Sequence, residues 1–525
     1  MTRNEPAIDP VTLEILWTRM ISVVDEAAAT FVRTSFSTLV RDANDFAVVL
    51  TDKSGRSIAQ SSLSIPSFLS TMPRTVARFL DEFGADSMQA DDAYLTNDPW
   101  LGSGHLNDAS MAMPIMRNGE LIGFAGVVSH LPDVGGRLRN PANKEIYEEG
   151  IRIPPMRFLT AGEVDESLVK MVQANVRVPD ETLGDLWAQV TCCRVLATQL
   201  NELLDEVGVK LDDFADEVVG RTERAMREAI AAIPDGTYQY VIENDGPGDY
   251  PGGTVRIVCS ITVNGDELNV DYAGSDEQVN IAINVVPTYT FAYTAYALKT
   301  VLAPWIPTAE GSFAPITVTA PEGTLLNPTF PAPTGSRAMM GHLLPPAVFG
   351  ALAEVLPERV QASPGSPLTA VQLASRSGAN RSGEKGFVLN AFIAAGQGAS
   401  ANLDGASSVS FPSNLSNAPI EVLENLGPIE VIERSVRKGS GGAGQKRGGD
   451  GITFHFRMRG DADATGAFLV SRVRHPAAGL QGGEAGAKGT LEINGKPVDT
   501  AGHYLLTPGD EVLIQTGGGG GFGAP

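Results

Sequence analysis

From Asp9 onward, apolar residues recur at Leu13, Leu16, Trp17, Met20, Val24 and Ala28. This is the i, i+3, i+4 spacing of a single buried helix face. Asp9 stands where a capping carboxylate belongs and Pro10 where a first helical residue tolerates proline, so the helix is expected to begin there. The short run Phe46 to Leu50, the turn Asp52-Lys53-Ser54-Gly55 and a second run through Ile58 read as a β-hairpin. A helical pattern then covers Met72 to Phe83. Next, the runs Ala109 to Met116 and Leu121 to Ser129 flank Arg117-Asn118-Gly119-Glu120. Asn-Gly between apolar runs is the strongest short hairpin signal.

Two long helical patterns follow, Leu183 to Val207 and Leu211 to Ile233, joined by a short glycine-containing turn and read as a helical hairpin. Beyond Pro234 come strands punctuated by turns: Tyr238 to Ile242, Thr254 to Val263, and Leu268 to Tyr272 after Asn264-Gly265. Val285 to Leu302 and Pro346 to Val355 read as helices, and the last ~110 residues as short strands between glycine loops. Helices and strands mix without regular βαβ alternation or internal repeat. The expected class is therefore α+β, with mixed or antiparallel sheets, the long helical hairpin and a β-rich C-terminal region. We divide the chain into an N-terminal α+β region (1–180), the helical hairpin (181–235), a central α+β region (236–415) and a glycine-rich β region (416–525).

At 525 residues the chain holds three or four domain-sized units at ~150 residues each. Its 39 Lys plus Arg against 62 Asp plus Glu give a formal net charge of -23, which argues against nucleic acid and anionic membrane as partners. Cys192, Cys193 and Cys259 form neither a disulfide framework nor a zinc-finger spacing, which suits a reducing compartment. No apolar stretch reaches the ~18 residues of a membrane span, and Met1 to Pro10 has no leader-like pattern. A cytoplasmic location is expected. The 57 glycines and 34 prolines lack collagen-like periodicity and are expected to shape loops.

Only six histidines are present, and two share a pattern: His105-Leu106-Asn107-Asp108 and His130-Leu131-Pro132-Asp133. They lie at the start of the first strand of the Asn118-Gly119 hairpin and at the end of the second, which are neighbours in an antiparallel pair. Two imidazoles with one or two carboxylates suit zinc, manganese or ferrous iron. Asp133 could orient a histidine from behind, and Asp42 and Asp45 are the nearest further carboxylates in sequence. The plainer reading makes all of these turn and capping residues. His342 reads as a structural histidine. Gly439 to Arg447 approaches a phosphate-binding loop, but Gln445 precedes Lys446 and Arg447 replaces the Ser or Thr, so it is rejected. A Gly-x-Ser-x-Gly elbow between strand and helix is absent. Gly517 to Gly523 lies at the terminus, where disorder is the default expectation.

Taken in order, these segments resemble the hydantoinase B family. The similarity rests on Asp9-Pro-Val-Thr-Leu-Glu14, Asp45-Phe46, Gly55-Arg56, Ala59-Gln60, Asn97-Asp98-Pro99 and His105-x-x-Asp108. It continues through His130-x-x-Asp133-Val-Gly-Gly136, Glu145-Ile-Tyr-Glu-Glu-Gly150, Arg152-Ile-Pro-Pro155, Asn175-Val-Arg177, Gly184-Asp185-Leu186, Ser440-Gly-Gly, Arg447-Gly-Gly449 and Gly517 to Gly523. The resemblance implies a divalent metal at His105, Asp108 and His130 with Asp45 as fourth ligand. Zinc is the first expectation, manganese or iron the alternatives, and Asp133 is assigned the catalytic supporting role. It also implies a hetero-oligomer with an A-type subunit of actin-like kinase fold that uses ATP to phosphorylate a cyclic amide. Metal-bound water on this chain would then open the lactam, hydantoin or 5-oxoproline-like ring.

Two departures bear on substrate. Pro66-Ser67-Phe68-Leu69 stands where family members often carry histidine, and Leu131 where many have a second histidine; Phe68 and Leu131 are expected to make nearby walls apolar. Arg137 to Lys144 lacks the small Gly- and Ser-rich pattern of the family. The alternatives are a subunit of a biotin-independent ketone carboxylase of the acetone or acetophenone type, and a non-catalytic assembly subunit.

Overall fold

The computed structural model describes residues 8–525 except 69, 367, 376–385 and 462. The leader-free reading of residues 1–7 and the substitution at Leu69 therefore lie outside the described residues. Helix α1 (Pro10–Thr34) begins as its sequence dictates: the Asp9 carboxylate accepts from the backbone N–H of Val11 at 3.2 Å and of Thr12 at 3.1 Å. Its stripe of Leu13, Leu16, Trp17, Met20 and Val24 is buried, and Trp17 Nε1 donates to Ile58 O.

That stripe covers a seven-stranded antiparallel sheet made of β1 (Phe46–Asp52), β2 (Ser57–Gln60), β3 (Ala93–Thr96), β4 (Asp108–Arg117), β5 (Glu120–His130), β6 (Met156–Thr160) and β7 (Glu163–Val164), in the order β2-β1-β5-β4-β3-β6-β7. The strand period of two divides its side chains between two cores. Phe46, Val48 and Leu50 face α1 and the helix Pro179–Val207, whereas Ala47 and Val49 join a second core with Met72 and Phe79 of the helix Thr71–Phe83. Both faces are covered, so β1 is buried along its whole length. The β4–β5 turn has Asn118 at φ 51° and Gly119 at φ 83°, the paired left-handed residues of a type I′ turn. Its register runs back to the pair Asp108↔His130, through one irregularity between Ile115 and Met116.

The helix Pro179–Val207 ends on left-handed Gly208, and the helix Leu211–Ala231 follows. The first packs on α1, β4 and β5, where Gln189 Nε2 donates to Ala109 O and Ser129 Oγ. The second packs chiefly on the turn Glu310–Phe313. In the central region the strands Gly236–Asp245, Thr254–Asn264 and Glu267–Asp271 are antiparallel, while Ile316–Thr319 joins Glu267–Asp271 in parallel, so the sheet is mixed. A four-stranded and a five-stranded C-terminal sheet enclose Leu373, Phe454, Phe456, Phe468 and Ile514. The architecture is α+β. No helix among the described residues is long and apolar enough to cross a membrane.

The terminal glycines overturn the expectation of disorder. Gly517 to Gly521 are buried within the single chain. The N–H of Gly519 donates to Gly449 O, that of Gly520 to Ser363 O and that of Gly521 to Glu484 O, all at 2.9 Å, and Gly519 O accepts from Gly442 N–H at 2.9 Å. A Cβ built on Gly519 would lie 2.0 Å from Gln397 O. Backbone here packs on backbone at a distance that excludes any side chain. The loop that approached a phosphate-binding pattern, Gly439 to Arg447, supplies one wall of this layer.

Candidate metal centre

Asp108 opens β4 and His130 closes β5, and as register partners they present their side chains on one face. His105 arrives on the preceding loop, which Asn97 holds: Asn97 Nδ2 donates to Leu106 O at 2.8 Å and to Ile151 O at 2.9 Å, while its Oδ1 accepts from Ile153 N–H at 2.6 Å. Gly104, at φ 100°, lets Arg337 pass; a Cβ there would lie 2.7 Å from Arg337 Nε.

The three groups converge. His105 Nε2 lies 2.7 Å from Asp108 Oδ1, His130 Nδ1 lies 3.0 Å from the same oxygen, and the two imidazole centroids are 5.0 Å apart. Ligand atoms of His105, Asp108 and His130 all fall within 4.8 Å of one another. The other carboxylate oxygen, Oδ2, accepts from Ser103 Oγ at 2.6 Å and from Arg337 Nη2 at 2.7 Å. His105 Nδ1–H donates to Gly335 O at 3.3 Å, which turns the lone pair of Nε2 toward the cluster. Neither His105 Nε2 nor His130 Nε2 has an aligned hydrogen-bond partner, although both are buried. A divalent ion satisfies this pattern: two neutral imidazole nitrogens and a carboxylate are a mixed donor set for zinc, manganese or iron.

Electrostatics favour the protonation states that such ligands require. Burial first, then the Arg337 charge, lowers His105 to about 3; burial and the arginines lower His130 to about 4, so both rings are neutral at pH 7. Burial works to raise Asp108, but His105 and Arg337 outweigh it and hold the carboxylate ionised, well below its ordinary value. Asp45 is the opposite case: burial, then the Asp108 charge, pushes it up to about 8.

Of the expected residues, the structure brings His105, Asp108 and His130 together, with Asp45 beside them; Asp45 Oδ2 is 3.8 Å from His130 Nδ1. Asp42 is not among the residues lining the cavity. Asp133 is placed elsewhere. Its carboxylate accepts from Gly135 N–H at 3.2 Å, from Arg177 Nη1 at 2.7 Å and from the Arg177 N–H, so it ties the loop after β5 to the chain before the helix Pro179–Val207. The histidine-orienting position expected of it is held by Gly335 O. Leu131 turns into the core beneath α1, whereas Phe68 does line the site.

The cavity beside the cluster, about 30 Å³, is also walled by Arg139, Tyr289, Tyr293, Arg337 and His342. That volume suits an ion with about one or two waters. The structural reading of His342 agrees with its geometry, since its Nε2 lies 3.0 Å from Tyr289 Oη and 2.8 Å from Tyr293 Oη. Arg337 and Tyr289 were missed from sequence because they sit over 150 residues from the histidine pattern. Behind the wall, Glu149 is buried: its Oε1 accepts from Thr334 N–H at 2.9 Å and Gly335 N–H at 2.7 Å, and its Oε2 has no partner.

The sequence pattern described as Hydantoinase B/oxoprolinase matches residues 9–525. The chain is 30% identical to the caprolactamase subunit beta of Pseudomonas jessenii over 542 residues, covering 99% of this chain and 91% of that one. Its fold superposes on the crystal structure of ATP-dependent caprolactamase from Pseudomonas jessenii with a TM-score of 0.87 at 27% identity, covering 99% and 92% of the two chains. It also superposes on nucleotide-free acetone carboxylase with a TM-score of 0.88 at 20% identity, covering 98% and 76%, which is a likeness of fold alone. The motifs, the architecture and the full-length match together place this chain in the hydantoinase B/oxoprolinase family.

Proposed function

We propose that this chain is the metal-dependent hydrolytic subunit of a two-subunit, ATP-dependent cyclic amide hydrolase that opens a lactam, hydantoin or 5-oxoproline-like ring. The observation that carries the reading is the buried His105–Asp108–His130 cluster, whose imidazole Nε2 atoms lack aligned partners, in a chain similar along its length to a caprolactamase subunit. His105, Asp108 and His130 would hold the ion, with Asp45 as fourth ligand once the cation draws off its proton. A divalent ion there supplies Lewis acidity, activating water and polarising a carbonyl.

The protein's own groups prepare this chemistry. Arg337 and Ser103 fix Asp108 through Oδ2 and leave Oδ1 turned to the histidines. Gly335 O holds the His105 tautomer. Phe68, Leu368, Phe392 and Leu415 line the same cavity and exclude bulk water. Asp133 acts at one remove, positioning the loop that follows His130. Amide activation is assigned to an A-type partner that consumes ATP, because an unactivated amide is a poor electrophile.

Co-purification with the A-type subunit, followed by a screen of lactams and hydantoins for substrate-dependent ADP release, tests the proposal. Release that requires both subunits and a ring substrate is expected. Ring opening by this chain alone without ATP, or ADP release that requires bicarbonate and a ketone, would contradict it.

A further inference from the structure

Arg139 is a buried charged group on the wall of the cavity whose role the metal cluster does not explain. It walls the same cavity as His105, Asp108 and His130. The residue is only 7% exposed, its Nε has no hydrogen-bond partner, and the carboxylates that act on it, Asp45 and Asp108, do so without a direct ion pair among the described residues. The nearest aromatic ring, Phe392, is 5.9 Å from the guanidinium carbon. Arg337, by contrast, is fully engaged by Asp108 and Ser103.

Its loop does not leave it free to turn away. Asn140 Nδ2 donates to Gly502 O at 3.0 Å, Ala282 N–H donates to Pro141 O at 3.0 Å, and Leu138 O lies 3.2 Å from His503 Nε2. Contacts from the central and C-terminal regions thus pin both flanks of Arg139 and hold its side chain at the cavity. Burial disfavours the guanidinium charge, and Asp45 and Asp108 offset that only from a distance, without a direct ion pair, so the fork on the cavity wall is open to a ligand oxyanion. A planar fork of N–H donors matches the oxygens of a carboxylate or a phosphate.

We propose that Arg139 is the anion-recognition residue of this cavity and takes an oxyanion of the substrate, either a carboxylate on the ring compound or the tetrahedral phosphate of its activated form. The inference rests on reading the cavity as the reaction site. At about 30 Å³ the cavity has room for the oxyanion group beside the ion, in place of water, and not for the ring that carries it.

The test is calorimetric titration of the full chain alone, loaded with manganese or zinc, using inorganic phosphate, 5-oxoproline and 2-pyrrolidinone. The last shares the lactam ring but has no carboxylate. Arg139→Met is expected to weaken phosphate or 5-oxoproline by about 10–100-fold, the loss of a charge-assisted contact. It should leave 2-pyrrolidinone unchanged. Loss confined to phosphate assigns the activated form, and loss confined to 5-oxoproline assigns the ring carboxylate. Arg139→Lys keeps the charge without the fork and should fall between wild type and Arg139→Met. Equal oxyanion binding by wild type and both variants, or no oxyanion binding by the wild type, overturns the inference. Metal content measured on the same samples separates the two readings: wild type without metal defeats the metal centre, while bound metal with unchanged oxyanion binding defeats Arg139 alone.

Discussion

Around Asp108 and across the terminal glycines the chain is buried, but on opposite terms. At the cluster the contacts run between side chains and leave polar atoms over: His130 Nε2, Arg139 Nε and Glu149 Oε2 are buried without partners. In the glycine layer the contacts run between backbones, and every N–H from Gly518 to Gly523 donates to a carbonyl. Buried polar groups are normally satisfied, so unpartnered nitrogens that also wall a cavity, as on His130 and Arg139, suit a ligand, whereas the completed layer is structural. Both regions are rich in sequence motifs, and the balance of partners distinguishes them.

The largest effect should come from breaking the layer. Gly519→Ala places a methyl group 2.0 Å from a carbonyl oxygen, against backbone that cannot step aside. Its destabilisation should exceed the ~1–3 kcal/mol of ordinary overpacking, read by denaturant unfolding. A wild-type unfolding curve would show that the layer is looser than its geometry.

Next comes Glu149, which touches the cluster only through the Gly335 peptide. Glu149→Ala should weaken metal binding by ~10–100-fold, while Glu149→Gln, which keeps the acceptor, should bind like wild type. Equal losses in the two variants would remove the positioning role. Burial raises the Glu149 carboxyl to about 8 from its ordinary 4.5. The folded state therefore holds an extra proton between about 4.5 and 8, and stability is lost as pH rises through that window, by up to ~1.4 kcal/mol per pH unit. Relative to Glu149→Gln, the wild-type melting temperature should fall from pH 5 to pH 8 and then level; parallel curves would contradict this.

The smallest effect sharpens the glycine side of the comparison. Gly220 lies inside the helix Leu211–Ala231, where a Cβ would meet only the mobile end of Arg224 at 3.2 Å. Gly220→Ala should stabilise the protein by ~0.5–1 kcal/mol, the opposite sign to Gly519→Ala.

Local signals were legible in the sequence because local chemistry determines them. Asp9-Pro10 started α1, and Asn118-Gly119 fixed the turn and hence the register that brings Asp108 to His130. Knowing that register, the His-x-x-Asp repeat located three members of the cluster. Arg337, Tyr289 and Glu149 were not legible, since they meet the cluster only through tertiary folding and have no spacing relation to it. Asp133 was misleading because His-x-x-Asp repeats as a string, while its carboxylate is taken by Arg177. The tail stayed open because glycine runs suit both disorder and close backbone packing, and only long-range partners decide between them.

The most direct measurement is the metal content of the complex co-purified with its A-type partner, read beside substrate-dependent ADP release, for wild type and His105→Ala. We expect about one divalent ion per chain in the wild type, and loss of both metal and ring opening in a folded His105→Ala complex. Full turnover by a metal-free complex, or by His105→Ala, would contradict the account.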